Sequence, residues 1–131
     1  GAMSAEETEL GYVHAINRAD LVRLASLMTE NHVFVDSDGS TVAARGPVID
    51  AWTRFFAMVP RYAVDVRERF SAGSTVVLVG IAEGGPAGPG RWSVPAAWRA
   101  VVEGGQVAVW QVFVNPEPIL AALGGRPVGD P

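Results

Sequence analysis

Three oxygen-bearing side chains sit where an apolar pocket would give them chemistry to do. Asp36 directly follows Val33-Phe34-Val35. A carboxylate at the end of such a strand, on the rim of a hydrophobic hollow, has its charged form disfavoured. That suits a general base that takes a proton beside a carbonyl and returns it elsewhere. Asp36 also opens the segment Asp36-Ser37-Asp38-Gly39, so the competing reading is a turn aspartate that caps local amides. Tyr12 lies at the edge of the apolar arc of the first helix, and a buried phenol needs a partner. A substrate oxygen would serve, and so would a backbone carbonyl. Glu68 shares strand parity with Tyr62, Val64, Val66 and Phe70, which aims it at the apolar face. An inward acid is costly unless paired or functional. The alternative is a bulge that flips its parity, or a strand end that bends to water.

The chain is rich in large rings for its size: Trp52, Trp92, Trp98 and Trp110 join Phe55, Phe56 and Phe113. Most belong to a core, and some are expected to line a cavity for a bulky, flat, apolar guest. The expected lining is Trp52, Phe56, Val64, Val66, Ala97, Trp98, Trp110 and Val112. His14 and His32 read as surface residues, and neither has a serine or carboxylate at triad-like spacing. With 2 histidines and no cysteine, three-His and thiolate metal sites are excluded. No glycine-rich phosphate loop follows a strand. The expectation is therefore no metal and no organic cofactor.

These residues need elements to hold them. Residues 4–17 read as a helix, with Ser4 and Glu7 at capping-box spacing. Asp20 starts a second short helix that runs through Met28 and ends at Thr29-Glu30-Asn31. A short strand covers 32–36, a second short strand is expected at 41–44, and Gly46-Pro47 opens a third helix that Pro60 ends. In that helix Val48, Ile49, Trp52, Phe55, Phe56 and Val59 repeat at helical spacing. The period then becomes two. Four strands are expected at 61–71, 75–83, 91–102 and 106–114, with Gly73-Ser74 and Gly104-Gly105 as hairpin turns. The loop 84–90 reads as mobile, and a last helical turn covers 119–123. Helices first and strands second argue for an α+β fold. The expected form is a curved antiparallel sheet wrapped around the helices, a conical barrel with an internal pocket.

The 131 residues fit one domain, placed at 4–123. Gly1-Ala2-Met3 reads as the scar of a cleaved expression tag, and 124–131 as a flexible tail. Apolar residues at 49% against 18% charged make the chain globular. A net charge of −4 argues against a nucleic-acid partner. No apolar run is long enough for a membrane helix, and a cytoplasmic location is the default.

At this point order and residues converge on a known family. The stretch Tyr12-Val13-His14-Ala15-Ile16-Asn17-Arg18-Ala19-Asp20-Leu21, through Phe34-Val35-Asp36-Ser37-Asp38-Gly39, resembles the first half of the bacterial ketosteroid isomerases of the NTF2-like (SnoaL-like) superfamily. Arg45-Gly46 before Ile49, and Ala63-Val64-Asp65-Val66, are similar as well. The resemblance runs from about Ser4 to Leu123. It implies that Asp36 shuttles a proton and that Tyr12 donates to the developing oxyanion. The family's second oxyanion donor falls on Ala96 or Ala97, so it is missing, and the turn departs from the usual Asp-Pro-x-Gly. Losing one such donor costs about 2.7–4 kcal/mol of barrier in other enzymes. The implied function is a proton-moving isomerase or cyclase acting on a bulky apolar ketone or enone. Epoxide opening by Asp36 with Glu68, and ligand binding without turnover, are the alternatives. The resemblance also implies a homodimer built on the outer face of the sheet, with Phe113 and Gln111 placed to contribute.

Overall fold

The computed structural model describes residues 3–115 and 117–122. Ser4 caps α1 (Ala5–Asn17), and its hydroxyl accepts from Glu7 N while the Glu7 carboxylate accepts from Ser4 N. Asp20 caps α2 (Leu21–Ser26) through Arg23 N. Then come β1 (Met28–Val35), β2 (Thr41–Ala43), α3 (Arg45–Met58), β3 (Ala63–Ala72), β4 (Thr75–Gly84), β5 (Trp92–Glu103), β6 (Gln106–Val114) and α4 (Glu117–Ala122). Gly104 and Gly105, both at positive φ, make the two-residue turn between β5 and β6. The tag and tail readings at 1–2 and 124–131 lie outside the described residues, as does Leu123.

The α+β class holds, but the barrel does not. The strand order is β2-β1-β6-β5-β4-β3, and among the described residues β2 and β3 are edges with one neighbour each. A barrel has no edges, so this is an open sheet. It is also mixed: β1 runs parallel to β6 while the other pairs are antiparallel. Period-two patterning shows which segments are strands and says nothing about which edges meet. Likewise β1 begins at Met28, because Met28 pairs with Val107; the stretch read as the end of α2 is strand.

Alternation along β5 sorts the two faces. Trp92, Val94, Ala96, Trp98, Ala100 and Val102 are buried against the helices, and the residues between them face the other way. The core thus sits between the helices and this inner face. Asn17, at the end of α1, exchanges two hydrogen bonds with the backbone of Val64 at 2.7 and 3.0 Å, which covers part of the β3 edge. Arg45 reaches the Met28 carbonyl from the start of α3 at 2.9 Å, fixing that helix to β1. On the outer face Phe70, Val79 and Phe113 remain exposed. No helix among the described residues is long and apolar enough to cross a membrane.

Candidate functional site

A cavity of about 440 Å³ lies beneath α3. The helix contributes Val48, Ala51, Trp52, Phe55 and Met58, which follow one stripe at intervals of three and four. The sheet contributes Phe34 from β1, Val42 from β2, Ala82 from β4, Trp98 from β5, and Trp110, Val112 and Val114 from β6, while Ile119 of α4 and Tyr62 also line it. Asp36 stands at its rim. Among the described residues it is the only Asp, Glu, His, Lys or Arg in the lining. Its exposed carboxylate accepts from Ser37 N at 2.7 Å. The turn itself is anchored: Asp36 N donates to Ser40 O at 2.8 Å, and the Ser37 hydroxyl bridges to the backbone of Val112 and Val114 on β6. Both readings of Asp36 therefore coexist, since it belongs to a turn and also borders the cavity.

Four of the residues expected to line the site do so: Trp52, Trp98, Trp110 and Val112. Phe56, Val64, Val66 and Ala97 do not. One step along a helix rotates a side chain by about 100°, so Phe55 takes the cavity position. Phe56 stacks instead on Trp52, with centroids 5.2 Å apart. Val64 is buried where Asn17 holds its backbone, and Val66, on β3, lies away from the lining. Ala97 points to the outer face between Val79 and Phe113, and Ala96 is the inward alanine. Sequence reasoning also missed Tyr62, Phe34 and Met58, whose side chains complete the aromatic and apolar lining.

Tyr12 is fully buried and is not part of the lining. Its ring leans on Trp110, with centroids 4.9 Å apart, and Trp110 faces the cavity. Its hydroxyl is 3.4 Å from His32 Nε2, while His32 Nδ1 is 2.6 Å from the Val107 carbonyl oxygen. A carbonyl only accepts, so Nδ1 carries the imidazole proton and Nε2 accepts from the phenol. Burial drives the Tyr12 pKa far up, tempered by the nearby Trp52 indole, whose N–H is not in hydrogen-bonding geometry. The surface reading of His32 is thereby corrected: it is fully buried, and desolvation lowers its pKa against the opposing Val107 bond. His14 is exposed, as expected.

Glu68 is corrected too. The β3–β4 register slips between Val66, which pairs with Gly80, and Glu68, which pairs with Val79. Arg67 is the extra residue of this bulge, and it reverses the parity beyond it. Glu68 and Phe70 become exposed, and Arg69 turns inward to Glu9 on α1 at 2.8 Å. Asp36 and Glu68 do not share the cavity.

Comparison with known proteins places this architecture. A model of the SnoaL-like domain matches residues 10–110. The chain belongs to the SnoaL-like family. It is a member of the NTF2-like superfamily and structurally close to ketosteroid isomerase-like folds. A Catenulispora acidiphila protein with a ketosteroid isomerase-like fold, solved in complex with trimethylamine, superimposes with a TM-score of 0.81 at 22% identity, covering 95% of this chain and 98% of that one. A Shewanella denitrificans protein provisionally assigned as a SnoaL-like polyketide cyclase gives 0.79 at 18%, covering 92% and 96%. An LEH-like epoxide hydrolase from Mycobacterium tuberculosis gives 0.78 at 14%, covering 91% and 88%. At these identities the likeness is one of fold. No curated protein matches the chain in sequence.

Proposed function

We propose that this SnoaL-like protein is a small-molecule isomerase or cyclase that moves a proton on a bulky apolar ketone or enone. The observation that carries the reading is Asp36, the single carboxylic acid that, among the described residues, borders an otherwise aromatic and aliphatic cavity. In such a site the apolar walls hold and desolvate a flat guest, and the carboxylate meets its edge. The Asp36 carboxylate takes a proton from the carbon next to the carbonyl. The C–H electron pair moves into the enolate, and negative charge develops on the carbonyl oxygen. Asp36, now protonated, returns the proton to a more distant carbon, and the double bond ends in conjugation.

The test is conversion of a β,γ-unsaturated ketosteroid to its conjugated enone, followed by absorbance. Asp36→Asn keeps the side-chain shape and removes the base, and should lower turnover about 10²–10⁴-fold. Turnover that survives the substitution removes Asp36 from this role. Binding without turnover is the second reading, favoured by the burial of the Tyr12 hydroxyl against His32. It gains if the cavity takes the ketone and no product forms. Epoxide opening by two acids loses its support, because Glu68 stands on the outer face.

A homodimer is part of the same proposal. The exposed side chains of Phe70, Val79 and Phe113 share the outer face of the sheet, and a second copy would cover them. Sedimentation equilibrium should give twice the chain mass. Phe113→Asp should halve it, and a monomeric wild type removes the dimer from the proposal.

A further inference from the structure

The chain has 2 tyrosines, and their protons have different destinations. That of Tyr12 goes to His32, and this is the only hydrogen bond made by a tyrosine hydroxyl among the described residues. Tyr62 instead lines the cavity. Its ring is fixed by Phe55, edge-on at 4.8 Å, and by Trp52 and Trp92 at 6.5 and 6.2 Å. The Tyr62 hydroxyl makes no hydrogen bond within the protein among the described residues, so its proton is left for a guest.

The backbone before Tyr62 is held with similar care. Arg61 has a φ of 57°, in the left-handed region that an L-residue adopts only under constraint. Its carbonyl accepts from Arg91 Nη1 at 2.7 Å, and the same nitrogen reaches the Gly85 carbonyl at 3.0 Å. Glu83 lies 3.7 Å from the other end of that guanidinium. The loop read as mobile from its glycines is therefore tied at its base to the residue that orients Tyr62. Strained, over-determined backbone beside a cavity is where positioning matters.

We propose that Tyr62 donates the hydrogen bond to the carbonyl oxygen of the guest. The inference rests on the reading of the cavity as a carbonyl-compound site, and it supplies the oxyanion donor that Tyr12 cannot. As Asp36 withdraws the proton, charge gathers on that oxygen and the phenol bond strengthens. The guest class narrows accordingly: a flat apolar molecule that carries a hydrogen-bond acceptor.

Prodan, a naphthyl ketone whose emission moves to the red when its carbonyl accepts a hydrogen bond, reads this contact directly. The wild type should bind it with red-shifted emission. Tyr62→Phe should move the bound emission to the blue and weaken binding about threefold to tenfold, while Tyr12→Phe leaves the bound emission unchanged. The propylnaphthalene analogue without the carbonyl should bind wild type and Tyr62→Phe alike. Wild-type emission and affinity in a folded Tyr62→Phe overturn the proposal. Should that variant melt below the working temperature, equal wild-type affinity for prodan and its carbonyl-free analogue overturns it too. Failure of prodan to bind the wild type overturns the cavity reading itself and this inference with it, whereas loss of turnover in Asp36→Asn bears only on the base.

Discussion

The inner face of the sheet is covered by two regions that treat polar side chains in opposite ways. Beneath α1 the interior is solid. Tyr12 meets His32, His32 meets the Val107 carbonyl, and the fully buried Glu9 meets Arg69. Beneath α3 the interior is hollow, and Asp36 and Tyr62 are among the residues of its wall. Trp110 is the partition, with Tyr12 against its ring and the cavity on the lining side. The difference teaches how to separate structural from functional polarity in a domain of this size. A buried polar group satisfied within the protein stabilises one packing. One left facing a cavity is available to a guest.

The comparison is broken most severely by removing a partner from the solid region. Glu9 is fully buried, and its second oxygen already lacks a hydrogen bond. Burial raises its pKa, opposed mainly by the bond from Arg69 and that residue's charge. Arg69→Ala leaves the acid without its counter-charge. Breaking a buried pair costs about 3–5 kcal/mol, and the partial exposure of Arg69 places this one at the lower end, about 3 kcal/mol in urea melts at pH 7. The deficit should shrink as the pH falls toward 4.5, because a neutral Glu9 no longer needs the arginine. A pH-independent deficit would show that Arg69 acts by packing its stem. Prodan binding, which belongs to the hollow region, should persist in the folded variant.

Much of the solid region was legible and much of the hollow one was not. The Ser4–Glu7 capping box, the glycine turns and the alternation of β5 are local signals, and local geometry decides them. The placement of Tyr12 depends on depth. Helical phase puts it on the apolar arc, but only the packing of Trp110 and His32 decides that its hydroxyl ends one layer behind the cavity. Strand parity puts Tyr62 on the apolar face with Val64 and Val66, but parity does not tell a core position from a cavity wall. Glu68 was misdirected by one bulge, and a signal for it existed. Gly80 pairs with Val66 beside the extra Arg67, and a Cβ there would collide with the Asp65 carbonyl. A glycine in mid-strand is a mark of such a site. The open sheet and the parallel β1–β6 pair depend on contacts between segments more than 70 residues apart, such as Met28 with Val107, which no local pattern contains.

The gentlest way to sharpen the comparison is acid. His32 is enclosed by Tyr12, the Val107 carbonyl and apolar walls, and burial keeps its pKa below the ordinary 6.5. The unfolded chain binds a proton near that ordinary value, and the native chain declines it until a lower pH. Below about pH 6.5 the unfolded state therefore holds more protons, so stability falls as pH falls, by at most about 1.4 kcal/mol per unit from this one group. The fall ends once the native pKa is passed. Glu9 works in the other direction: its raised pKa makes the native state the better proton acceptor above 4.5, which favours folding as the pH drops. The two are separated by His32→Gln, whose amide can still face Tyr12 and Val107 but does not titrate. The midpoint of urea unfolding of the wild type should decline between pH 7 and 5.5, and that of His32→Gln should stay level or rise. Parallel profiles for the two proteins would mean that the imidazole takes up its proton without opening the Tyr12 contact, and that the region beneath α1 is less tightly closed than the hydrogen bonds there imply.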